Sequence, residues 1–140
     1  MNRWPGVVLV ALSSLVLAAP RWNQSTADPA RARISIYEVA PGRHLDFLKW
    51  MAAREEVARA AGVPATQVYA HLDGDRWDYV VIWPLTTPEQ DRKQDELAAA
   101  RGLKTGFPAA LEFRELLSSH TDTVAAGPTT ATALVVAAGK

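Results

Sequence analysis

Residues 67–84 (QVYAHLDGDRWDYVVIWP) alternate in a way that predicts two strands joined by a tight turn at residues 72–76. Successive strand residues point to opposite faces of a sheet, so parity sorts the run. Val68, Ala70 and Leu72, then Val80 and Ile82, form an aliphatic set. Tyr69 and His71, then Trp77, Tyr79, Val81 and Trp83, form an aromatic set with polar tips. Residues 33–39 (RISIYEV) repeat the division, with Ile34 and Ile36 on one side and Ser35, Tyr37 and Val39 on the other. The aliphatic face is expected beneath a covering helix. The aromatic face is too apolar to leave in water, so a second subunit, a ligand or both should cover it.

Between these strands the apolar period changes. In residues 44–61, Phe47, Trp50, Met51, Val57, Ala58 and Ala61 recur at spacings of three and four, which predicts an amphipathic helix. Gly62 suits its C′ position and Pro64 prevents its resumption. Thr87-Pro88-Glu89-Gln90 reads as an N-cap, a first-turn proline and a capping-box partner, opening a helix that runs to Arg101 and stops at Gly102. Residues 109–119 give a further short helix, and residues 120–125 the fourth strand; residues 133–137 (ALVVA) compete for that role. The order strand, helix, strand, strand, helix, short helix, strand is the β-α-β-β-α-β arrangement of an α+β, ferredoxin-like fold. Its sheet is antiparallel, both helices cross on one face, and the other face is bare in a single chain.

Composition narrows the class. The 140 residues are 49% hydrophobic and 21% charged, with formal net charge +0, which argues against a nucleic-acid footprint. The absence of cysteine excludes disulfides, thiolate metal sites, a cysteine nucleophile and a lipidated cysteine. Arg3 followed by the 13-residue apolar run 7–19 resembles an export signal and falls short of the ~20 residues that span a bilayer. Ser25-Thr26-Ala27 favours cleavage after Ala27, with an uncleaved anchor as the competing reading. Cleavage removes Arg3 and Arg21 and no acid, taking the 15 basic residues to 13 against 15 acidic, net −2. The expected organisation is a signal peptide over 1–27, one domain over 28–130 and a poorly ordered tail over 131–140. The mature protein is expected to be periplasmic or secreted, without stable membrane association.

The element order and three passages, IYEVAPGRHLDFLKWM, VYAHLDGDRWDYVVIWP and FRELLSSHTDTVAAGPT, resemble the dimeric α+β barrel superfamily over residues 34–130. That superfamily includes cofactor-free monooxygenases, stress-response barrels, muconolactone isomerase-like enzymes and haem-handling members. The resemblance implies a homodimer with an interior pocket, and transfers no catalytic residue.

The candidate chemistry comes from the residues themselves. His71 is the proton-transfer candidate, since imidazole titrates near neutrality. His120 and Asp122, two apart on a strand, share a face, so Asp122 can orient the imidazole. Tyr37, Tyr69 and Tyr79, with Trp77 and Trp83, are the expected ligand-binding wall, because buried phenols need partners. His71, His120 and Asp122 meet as metal ligands only if the last strand lies near the second; no HExxH is present, and neither metal nor cofactor is expected. Asp73, Asp75 and Asp78 lack EF-hand spacing and read as turn residues. Two functions compete: a small-molecule-binding protein that acts on an aromatic or apolar compound without a cofactor, and a non-enzymatic envelope or stress-related protein whose aromatic face is only a dimer interface.

Overall fold

The computed structural model describes residues 30–139. The expected leader lies outside them. The elements are β1 (Arg31–Val39), α1 (His44–Ala60), β2 (Gln67–Ala70), β3 (Tyr79–Pro84), α2 (Pro88–Ala100), α3 (Gly106–Arg114), β4 (Leu117–Ala126) and α4 (Ala131–Ala138). One antiparallel sheet has the order β2-β3-β1-β4, the ferredoxin-like arrangement. Residues 120–125 belong to β4, while residues 133–137 are helical. The tail expected to be poorly ordered carries α4, capped by Thr130, whose hydroxyl accepts from the Ala133 N–H at 3.1 Å.

Local chemistry sets the helix ends as the sequence suggests. α1 stops where Gly62 takes φ +80°, a left-handed conformation that a Cβ would strain. At α2, Thr87 Oγ1 accepts from the Gln90 N–H at 3.2 Å and Gln90 Oε1 accepts from the Thr87 N–H at 3.0 Å, the reciprocal capping box. The short helix ends earlier than its apolar pattern suggests: α3 stops at Arg114, and Leu116 and Leu117 leave it to enter the core and the sheet.

The sheet carries the expected two-sided chemistry the other way round. Tyr37, Val39 and Val81 are buried with Phe47 and Met51 of α1 and with Leu116, and Tyr79 and Trp83 pack against that cluster. Tyr37 lies 5.4 Å from the Phe47 ring and 5.5 Å from that of Phe113 on α3. The aromatic face therefore sits beneath α1 and α3, while Ile34, Ile36, Val80 and Ile82 point away; Ile36 is 40% exposed. Area decides the direction. Each aromatic side chain buries ~150–250 Å2, more than an isoleucine or valine, and meets matching rings on the helices.

The pairing of β2 with β3 supplies a second correction. A five-residue turn groups even residues with even. Observed partners are Gln67 with Ile82, Val68 with Val81 and Tyr69 with Val80. The pairing continues through the His71 N–H, which donates to the Asp78 carbonyl at 2.8 Å, leaving an even-numbered bend, residues 72–77, between them. One extra residue in the bend exchanges the faces of β2. Val68 thus joins the helix side, and Tyr69 joins the outer face, 53% exposed.

Candidate functional site

The register places Tyr37 opposite both Tyr79 and His120, and Ser35 opposite both Val81 and Asp122. Direct partners share a face, so Ser35, Tyr37, Tyr79, His120 and Asp122 all stand on the helix side, with Trp83 one step further along. His120 stacks on Tyr37 with ring centroids 6.2 Å apart. His120 Nε2 lies 3.8 Å from Asp122 Oδ2, and the two side chains are 38% and 46% exposed. One strand inward, Tyr37 is 4% exposed and Ser35 1%. The group therefore runs from solvent at the β4 edge to the interior within a single strand spacing.

Its electrostatics follow from that gradient. Burial pushes the Tyr37 phenol above its ordinary value; Ser35 and Trp83 beside it oppose the rise, the Asp122 carboxylate adds to it, and Arg33 works against it. Ser35 stands close enough to the phenol for a hydrogen bond to lower its pKa, yet among the described residues its Oγ has no partner of acceptable geometry. A buried hydroxyl without a partner costs about 1–3 kcal/mol. Ser35 is the residue that motif reasoning passes over: it has the parity of Tyr37, and a polar residue in the middle of an apolar strand was its only signal.

The remaining expected residues fall elsewhere. Tyr69 is on the outer face, its hydroxyl 3.3 Å from Gln67 Oε1. His71 and Trp77 form a separate pair at the β2–β3 bend, ring centroids 4.8 Å apart, with His71 Nε2 buried and unpartnered. β2 and β4 are opposite edges of the sheet, so three strand spacings of ~4.8 Å, roughly 14 Å, separate His71 from His120 within one chain. They cannot act on one atom there, nor join Asp122 in one metal shell. Among the described residues no three potential metal-ligating side chains converge.

Near the bend, polar side chains tie the upper ends of the strands together. Asp78 Oδ2 accepts from the Val39 N–H at 2.7 Å, and Asp78 Oδ1 is 4.0 Å from His44 Nε2. Glu38 receives Arg76 at 3.2 Å and Ser119 at 3.2 Å. Asp78 therefore does structural work beyond solvating a turn. Two surface clefts, of about 340 and 310 Å3, lie beside the end of α1 and between α1 and α3. Neither is lined by the expected site residues, and of the aromatic wall expected around a pocket Tyr37, Tyr79 and Trp83 belong to the packed core.

No protein-family model matches the chain, and no curated protein matches it. Among solved structures it is similar to a structural-genomics protein of Agrobacterium tumefaciens, at 17% identity over 72% of this chain and 95% of that one, TM-score 0.46. It is also similar to an uncharacterized NIPSNAP domain protein from Burkholderia xenovorans, at 12% identity over 71% and 95%, TM-score 0.44.

Proposed function

We propose that the protein binds a small molecule with an apolar body and a hydrogen-bonding end at the Ser35–Tyr37–His120–Asp122 group. The observation that carries this reading is the Ser35 hydroxyl, buried without a partner beside a desolvated phenol and one strand from a half-exposed His–Asp pair. A ligand docking at the β4 edge meets His120 and Asp122 first, and its polar end reaches Ser35 or Tyr37 where the packing of Tyr37 on Phe47 and Phe113 opens. In the catalytic form of this reading, His120 moves the proton and Asp122 orients it, without a bound cofactor, in an isomerase-like proton shift or in a monooxygenase-like reaction whose oxidant is dioxygen, with the substrate supplying the electrons and the second oxygen leaving as water. His71, on the far edge, is then a residue of the bend.

Localisation in the periplasm or outside the cell belongs to the same proposal and rests on the apolar run 7–19 behind Arg3. The test is ligand-observed NMR on the purified chain with a library of small phenols, aromatic acids and ketones. Binders should be lost in Ser35→Ala and Tyr37→Phe and kept in His71→Ala. A set of binders indifferent to Ser35, Tyr37 and His120 would overturn the reading.

A second reading concerns assembly. The outer sheet face presents Ile34, Ile36, Val80, Ile82 and Tyr69 beside Thr121 and Thr123, and Glu38 at its upper end is its one carboxylate on β1. Depletion of charge in the centre of a patch is an interface signature. We infer that two copies pair through this face to form the homodimer. The non-enzymatic alternative is that this pairing is the whole function. Sedimentation velocity on wild type and Ile36→Glu tests it: a dimer that the glutamate dissociates supports pairing, and a monomeric wild type removes it.

A further inference from the structure

α4 is an apolar helix with nothing of its own to cover. Its sequence, ATALVVAA, contains no charged residue, and none of its residues is buried. Leu134, Val135 and Val136 are 56%, 71% and 61% exposed. Water is a poor neighbour for such a helix. It lacks the Lys- and Arg-rich polar face of helices that lie on membranes.

The receptor that matches it chemically is the outer sheet face. α1, α2 and the Arg101 that caps α2 expose charged side chains, including Glu56, Arg92 and Glu96, which would be desolvated against α4 at a cost. The outer face offers Ile34, Ile36, Val80 and Ile82 instead. Chain geometry brings the two to one border. β4 ends at Ala126, the Gly127 N–H donates to the Ala30 carbonyl at 2.6 Å, and α4 begins after Thr130. A short connection thus starts α4 at the lower corner of the sheet.

Area favours a second copy as the occupant. Four strands ~4.8 Å apart and about seven residues long at ~3.3 Å each project on the order of 400 Å2. A standard interface covers ~800 Å2 on each partner. α4, about 12 Å long and about 10 Å across, adds on the order of 100 Å2, and its receptor is the sheet border already counted. In a twofold pair both copies give and receive the same contacts, so each contributes its helix as well as its whole sheet face, whereas a helix folded on its own sheet would remove part of that face from the pairing.

We propose that α4 of each copy crosses to the other and packs against the border of its outer sheet face, so that the interface comprises sheet face plus exchanged helix. This rests on the pairing reading above. The chain has no cysteine and two methionines, so photo-cross-linking is not confounded by disulfide exchange. A benzoylphenylalanine placed at Val135, in the full chain mixed from 14N- and 15N-labelled preparations, reports which copy α4 touches. Cross-links joining labelled to unlabelled peptides of β1 or β3 are expected. Cross-links confined to one copy, or none to the sheet, overturn the proposal. In parallel, Leu134→Asp/Val136→Asp should weaken dimerisation at least about tenfold by sedimentation, with the circular dichroism and Tm of the monomer unchanged. If Ile36→Glu dissociates the dimer and the α4 variant does not, pairing stands and the exchanged helix is wrong. A monomeric wild type overturns both.

Discussion

Replacing Ser35 by alanine tests the candidate site at its innermost atom. The side chain is 1% exposed, its Oγ has no hydrogen-bond partner of acceptable geometry among the described residues, and its strand neighbours are Val81 and Asp122. Ser35→Ala deletes one oxygen and retains Cβ, so the cavity penalty is small. Removing an unpartnered buried hydroxyl relieves a desolvation cost of about 1–3 kcal/mol. We expect the lower end, a gain of about 1 kcal/mol, because alanine is slightly the poorer strand former. For a domain of this size that is a rise in Tm of about 4 °C. Urea denaturation of Ser35→Ala, Tyr37→Phe and the double variant then measures the coupling. If Ser35 and Tyr37 share no hydrogen bond, the coupling lies within about 0.5 kcal/mol of zero. A loss of about 1 kcal/mol or more in Ser35→Ala, with coupling of similar size, would mean that the hydroxyl is satisfied by the phenol, and the reasoning would fail. A neutral result would mean that solvent already satisfies it, which refutes the orphan hydroxyl equally. A stabilised variant that has lost ligand affinity is the signature of a residue kept for binding at the expense of the fold.

Further outcomes follow from the same geometry. Because burial raises the Tyr37 phenol, the unfolded chain ionises this group first, so its contribution is intact below pH ~10 and is lost as pH climbs through the folded value. Stability should decline more steeply above pH ~10 in wild type than in Tyr37→Phe, measured by urea titration across that range. Phe47, fully buried between Tyr37 and Tyr79, should cost about 3–5 kcal/mol when changed to alanine. Thr87→Ala breaks the capping box of α2 and should cost about 1 kcal/mol. Asp78→Asn keeps the size of the side chain but weakens its bond to the Val39 N–H; faster amide exchange at Val39 would confirm it, and unchanged exchange would refute it.

The division of sheet residues into two chemically distinct sets was legible in the alternation, and so were the helix ends, because Thr87-Pro88-Glu89-Gln90 and Gly62 carry local signals. The direction in which each face points was not. Both sets are apolar, and only the rings that α1 and α3 bring down, Phe47 and Phe113, decide which one is covered. Nor was the pairing of β2 legible, because Asp73-Gly74 lies off the centre of the bend of residues 72–77 and so does not fix its length. That one-residue uncertainty moved Tyr69 to the outer face, while His71 is separated from His120 because β2 and β4 are opposite edges of the sheet. The His120–Asp122 pair survived because both lie on one strand, where parity alone suffices. Ser35 shares the parity of Tyr37 in the sequence, but a lone serine in a strand resembles any other until its burial is known.

β4 leaves one further consequence. It is ten residues long and among the described residues has a strand neighbour on one flank only, so alternate backbone N–H and C=O groups along its other flank are unpaired by the sheet. Its residues include no lysine and no proline, the usual deterrents to sideways growth. Any extended segment of another chain that presents its backbone there can add a fifth ribbon, and in doing so it would wall off the approach to His120 and Asp122.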